Sequence, residues 1–468
     1  MTVRIPSLIS AVKTFPAILL ALALSLSSLT TKAQNAPEPR REELLNGLRV
    51  LLWSQPASQN VIIRLRVNSG AAFDLTGKAG AMALLGDLLF PDAETREFFT
   101  EELGGSLEVV TDYDGINIRM SGRASDFERM LEFLRIALVN TPLTNENVVR
   151  LREARIKMTR ELSIAPSFIA DRAISKRLFG EYPYGRTVAG APDSLAKVER
   201  ADLLLARERF LTPDNSTLVV IGGVQESRAL RALRQLLGAW RKSDKLVPAT
   251  FRPPDAPDAR TLIIDMPGTE SVEVRLAART LPRSDKDYAA ATLLTLLARD
   301  RWQAALPELG KAPFFVRHES HQLSGMFVMG ASVRATEAAQ ALETARTVLR
   351  ALVETQVTAA ELERARSEAT AIINKASAEP NAVAEAWLDA ESYRLDTGAD
   401  PARAFAKLTP ADLQRVAARL FRGVSFASIA LGSAAQLKSD LERAGKVEVI
   451  GQEVQAVPPT PAPQPKSP

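Results

Sequence analysis

The sequence predicts an α+β protein of two tandem homologous domains, each an antiparallel sheet with helices packed on one face. Three observations predict it. Short β-type runs and long amphipathic segments follow one another in the same order twice. Motifs of the first half recur in the second at offsets of 210 to 214 residues: 61–65 (VIIRL) matches 272–276 (VEVRL), Thr144 to Pro166 matches Thr358 to Pro380, and Ala201-Asp202-Leu203 followed by Gly222 matches Ala411-Asp412-Leu413 followed by Gly432. Between the copies, residues 247–258 (VPATFRPPDAPD) have the proline content of an extended linker.

Residues 1–33 have the form of an export signal. Arg4 and Lys13 precede the apolar run 17–26 (AILLALALSL), too short to span a bilayer, and Thr31-Lys32-Ala33 offers small residues at the cleavage positions. A cut near Ala33 would deliver the chain to the periplasm or the medium. The first domain is expected over 34–246. Its runs 48–53 and 60–67 have strand composition and are expected to pair. Residues 77–90, apolar on most sides, predict a buried helix. Residues 106–110 and 115–120 flank a DYDG turn and predict a hairpin. Helical spacing covers 127–139 and 145–164, and an apolar strand at 216–221 precedes a helix at 227–240. The second domain, 259–447, repeats that order, and the proline-rich residues 448–468 predict a disordered tail.

Composition excludes several chemistries. The chain of 468 residues has no cysteine, which removes disulfides, thiolate zinc sites, iron–sulfur clusters and a cysteine nucleophile. Its only histidines are His318 and His321, both in the second copy. The formal charge of +4 falls to +1 (56 basic, 55 acidic) without Arg4, Lys13 and Lys32, so no nucleic-acid partner is implied.

Several stretches, taken in order, resemble the insulinase/pitrilysin-like peptidases, the inverzincins. Residues 61–70 followed by 80–90 are similar to that family's first strand and metal helix. Leu103-Gly104-Gly105-Ser106-Leu107 with Asp112 and Tyr113 resembles its glycine-rich turn and second hairpin. Tyr182-Pro183-Tyr184-Gly185-Arg186 with Gly190, and Pro213-Asp214-Asn215 before the strand at 218–222, resemble its later loop and closing strand. The resemblance covers about residues 40 to 446 and implies an insulinase-like metallopeptidase fold.

The resemblance also implies an H-x-x-E-H helix, whose two His bind zinc while the Glu serves as general base. The matching positions hold Ala83, Gly86 and Asp87. The third ligand, a Glu on a later helix, falls at Lys157 or Met158, with Glu153 and Glu161 out of phase. No metal ligand set, no catalytic residue and no cofactor is therefore expected. Inactive chains of the family can lend substrate-binding residues to an active partner, and the matching segment 301–316 offers Arg301, Phe314 and Phe315 for that role. His318-Glu319-Ser320-His321 is one residue short of a zinc motif and lies in strand-like sequence, which points to an ordinary exposed hairpin. The implied role is non-catalytic: pairing with an active zinc-peptidase homologue, or self-association, to enclose peptides. The alternative is a stand-alone periplasmic peptide- or protein-binding scaffold.

Overall fold

The computed structural model describes residues 38–141, 143–243, 251–377, 379–395 and 401–451. The expected signal, the first residues of the linker and nearly all of the expected tail lie outside them. In the first half, β1 (Arg40–Glu43), β2 (Arg49–Ser54) and β3 (Asn60–Val67) precede helices α1 (Ala81–Asp87) and α2 (Ala93–Glu101). Strands β4 (Ser106–Thr111) and β5 (Ile116–Arg123) form the hairpin. Helices α3 (Phe127–Val139), α4 (Asn145–Leu162), α5 (Pro166–Phe179), α6 (Pro192–Leu195) and α7 (Arg200–Phe210) follow, then β6 (Ser216–Gly222) and α8 (Glu226–Leu237).

The second half contains β7 (Thr261–Asp265), β8 (Val272–Thr280), α9 (Tyr288–Ala305), β9 (Phe314–Ser320) and β10 (Gly325–Val333). It continues with α10 (Ala338–Glu354), α11 (Ala359–Ser377), α12 (Pro380–Tyr393), α13 (Pro401–Lys407) and α14 (Pro410–Phe421). It ends with β11 (Ala427–Gly432), α15 (Ala434–Ala444) and β12 (Val447–Gly451).

Each half carries a six-stranded sheet, ordered β1-β2-β6-β3-β5-β4 and β12-β7-β11-β8-β10-β9. Five strands correspond one to one, so the duplication is visible in the topology. The sheets are antiparallel except where the late strand enters: β2 pairs with β6 in parallel, and β7 pairs in parallel with both β11 and β12. The expected pairing of 48–53 with 60–67 does not occur, because β6 lies between β2 and β3. The reason is burial. All seven residues of β6 are buried, as a central strand covered on both faces requires. The second copy also runs further than expected: β12 continues past residue 447 because 447–451 add a strand beside β7.

Helices α1, α3 and α8 cover one face of the first sheet, and α9, α10 and α14 one face of the second. The opposite faces are not left to solvent. Ala170, Ile174 and Leu178 of α5, spaced one helical turn apart, pack on Leu262, Ala277, Ile429 and Leu431 of the second sheet. Reciprocally, Val383, Ala384, Trp387 and Leu388 of α12 pack on Leu51, Val219 and Ile221 of the first. Pro166 and Pro380 each open their helix at the first turn, where a missing N–H costs nothing. The halves thus exchange equivalent helices.

Candidate functional site

Helix α1 carries the positions that the resemblance marks as catalytic, and its geometry begins upstream at Asp74. That carboxylate is 7% exposed and accepts hydrogen bonds from the Gly80 and Met82 N–H groups, both at 2.7 Å. Gly80 stands at φ 96°, a conformation that a Cβ would strain, and opens the helix. Burial pushes the Asp74 carboxyl up to about 7, against the pull of those two N–H groups and of Arg186 and Arg155. From Ala81 to Gly86 every residue of α1 is buried, and of its side chains only that of Asp87 reaches a polar partner.

The partner is Arg155 on α4. Its guanidinium approaches the Asp87 carboxylate to 2.6 Å, and its Nη2 donates to the Ala83 carbonyl at 3.2 Å. Burial raises the Asp87 pKa, and Arg155 opposes that shift. A single cation therefore bridges both positions, 83 and 87, that would bear imidazoles in an intact motif. At the third position, a Cβ on Gly86 would meet the Thr111 hydroxyl at 2.7 Å, so the hairpin side chain occupies the space a glutamate would enter.

Zinc does not fit these residues. Ala83 and Gly86 offer no ligand atom, Asp87 is engaged by Arg155, and a guanidinium beside the position repels a second cation. Among the described residues no group of three or more His, Asp or Glu could hold a metal ion. The α4 residue that faces α1 is Arg155 rather than Lys157 or Met158, both of which are exposed. Its place was readable: Val148, Leu151, Arg155 and Thr159 form one stripe at helical spacing, with Val148 and Thr159 buried.

The structure does not bring Arg301, Phe314 and Phe315 together. Arg301 on α9 donates through two nitrogens to Glu361 at 2.8 and 3.2 Å and holds that carboxyl down to about 2. Phe314 turns into the core of the second half, with its ring 6.1 Å from Trp302. Phe315 points to the other face of β9, between the guanidinium groups of Arg275 and Arg317. The stretch 318–321 does lie in a hairpin, the one that joins β9 to β10, but it is not exposed. His318 is tucked against Thr280 and Ser320, and His321 packs on Tyr113 and Tyr184 of the first half. Aromatic composition around DYDG and YPYG hid this contact, because it joins two turns distant in sequence.

Family models match the chain in two segments: "Insulinase (Peptidase family M16)" over residues 49–192 and "Peptidase M16 inactive domain" over 197–369. A probable β subunit of the mitochondrial-processing peptidase of Arabidopsis thaliana is 21% identical over 43% of this chain and 39% of its own length. The chain thus spans well under half of that relative. Among solved structures, a protease from Helicobacter pylori superposes with a TM-score of 0.75 at 18% identity, over 84% of this chain and 99% of that one. The periplasmic protease PqqL of Escherichia coli gives 0.69 at 15% identity, over 88% of this chain and 51% of that one. The fold and the two matched models define an insulinase-like chain. The protein belongs to the M16 peptidase family and lacks its zinc-binding motif.

Proposed function

We propose that this chain is an exported, non-catalytic M16 homologue that pairs with a catalytically intact homologue to close a chamber around peptides. The observation that carries the reading is the Arg155 guanidinium lying across the Ala83 carbonyl and the Asp87 carboxylate. A cation fixed to the helix pair stabilises the architecture of the family while removing the place of its metal-bound water.

A partner is supported by PqqL, of which the matched span is 51%, so that protease carries about as much chain again beside the part that resembles this one. Export rests on Arg4, Lys13 and the apolar run 17–26. No helix among the described residues is long and apolar enough to cross a membrane.

The test is a mixing experiment. The purified chain, an M16 homologue with an intact H-x-x-E-H motif from the same source, and the two together are assayed on an unstructured peptide with added zinc. Cleavage enhanced at least about tenfold in the mixture, with none by this chain alone, is the expected result. Zinc-dependent cleavage by this chain alone, or no effect of mixing, overturns the proposal.

A further inference from the structure

A cleft of about 200 Å3 opens where the two halves meet, away from the Asp87–Arg155 pair. It is smaller than the roughly 300–1,000 Å3 of drug-sized sites, so its occupant is a small molecule. One side is aromatic, with the Phe73 and Phe251 rings 5.8 Å apart. The other is charged, and the fold leaves that charge incompletely used.

Arg394 ends α12 in the left-handed conformation at φ 54°, the one non-glycine residue with positive φ among those described. Its N–H caps the helix on the Ala390 carbonyl, a task glycine performs without the Cβ penalty. The backbone gains nothing from an arginine there, and Arg394, an exposed residue lining the cleft, has no side-chain ion pair or hydrogen bond among the described residues. Backbone strain of this kind collects at ligand-binding positions.

Arg49 lines the same cleft. Its Nε is buried without a hydrogen-bond partner, and its Nη1 stands 3.7 Å from Glu391 Oε2, beyond a hydrogen bond. Glu391 gives its other oxygen to Arg41, which leaves Oε2 open to a donor. The remaining carboxylate, Asp114, is fully engaged by the Tyr184 and Tyr393 hydroxyls and the Gln322 N–H.

We propose that this cleft binds a free α-amino acid with an apolar side chain. The carboxylate sits on Arg49 and Arg394, the ammonium donates to Glu391 Oε2, and the side chain lies against Phe73 and Phe251. An anion alone would leave Glu391 Oε2 without a hydrogen-bond donor, and a cation alone would leave Arg394 without an acceptor. A zwitterion of this size satisfies both.

Calorimetric titration of the purified full chain tests it, with L-phenylalanine and L-leucine as probes. N-acetyl-L-phenylalanine stands for a peptide C-terminus, and L-phenylalaninamide for a peptide N-terminus. The free amino acids are expected to bind, with each blocked form at least about tenfold weaker. Arg394→Gly relieves the left-handed strain and so keeps the melting temperature, while weakening the free amino acid at least about tenfold. Glu391→Gln is expected to narrow the gap between the free and N-acetylated forms. No binding at about 10 mM, equal binding of either blocked form, or unchanged affinity in folded Arg394→Gly overturns the assignment.

Discussion

Arg275 reaches from β8 into the opposite half of the molecule and donates through Nε to Asp171 of α5 at 2.7 Å. The guanidinium is 2% exposed and also bonds Glu273 within its own strand at 2.9 Å. The first half answers in kind. Arg66 of β3 donates to Asp389 of α12 at 2.7 Å and pairs with Glu385, and Glu385 is the repeat counterpart of Asp171. Each central strand thus aims an arginine at the helix it receives from the other copy. The charge pairs fix the rotation of those helices, and the apolar stripes beside them supply most of the burial energy.

Two substitutions separate those roles. Asp171→Ala leaves Arg275 its bond to Glu273 and is expected to cost about 1–2 kcal/mol. Arg275→Ala removes the buried side chain and leaves Glu273 uncompensated, for about 3–5 kcal/mol. Urea unfolding of the two variants checks this, and equal losses would contradict the burial argument.

The exchange also predicts that the halves do not stand alone. Residues 34–246 made by themselves would expose the stripe Ala170, Ile174 and Leu178 together with Leu51, Val219 and Ile221. Such a fragment is expected to aggregate or to bind a hydrophobic dye strongly. Co-expression with 247–468 should restore a monodisperse species in size-exclusion chromatography. A soluble, cooperatively folding 34–246 fragment would contradict the exchange.

At the former metal helix, Arg155→Leu strands the half-buried Asp87 carboxylate and is expected to cost about 1–3 kcal/mol. The double variant Asp87→Leu/Arg155→Leu should recover most of that loss, since an apolar pair replaces the ionic one. Thermal melts should not move with zinc or with a chelator, because the described residues hold no tight ligand set to link zinc to folding. A melting temperature raised by several degrees in zinc would contradict the lost site.

These elements differ in how far sequence alone revealed them. Helix α3 spans the expected residues because its apolar spacing is strong, and α4 starts where Thr144 accepts from the Asn147 N–H. Strand order was hidden. Nothing local in β2 or β3 records that β6, more than 140 residues later, will enter between them. The same holds for α5 and α12: an apolar stripe says that a helix is covered, not by which sheet. Asp87 reads as a lost ligand from the motif alone, but its partner Arg155 follows only from the phase of α4, whose stripe of Val148, Leu151, Arg155 and Thr159 faces inward.

His318 gives a pH dependence whose sign follows from its surroundings. Its Nδ1 is buried without a hydrogen-bond partner, while Nε2 meets the Thr280 and Ser320 hydroxyls at 3.0 Å. Burial first, then Arg283 and His321, pull its pKa down to about 4. The unfolded chain takes up this proton near pH 6.5, the folded one only near 4. Between those values the unfolded state binds more protons, so stability is full above about 6.5 and falls as pH drops toward 4. Asp74 acts in the opposite sense, since its raised pKa lets the folded state hold a proton in part of the same window. A comparison that keeps Asp74 in both proteins cancels that contribution. Relative to His318→Gln, the parent chain should lose about 2–3 kcal/mol between pH 7 and pH 4. Urea unfolding of both across that range measures the difference, and parallel curves would show that His318 is not held neutral by the fold.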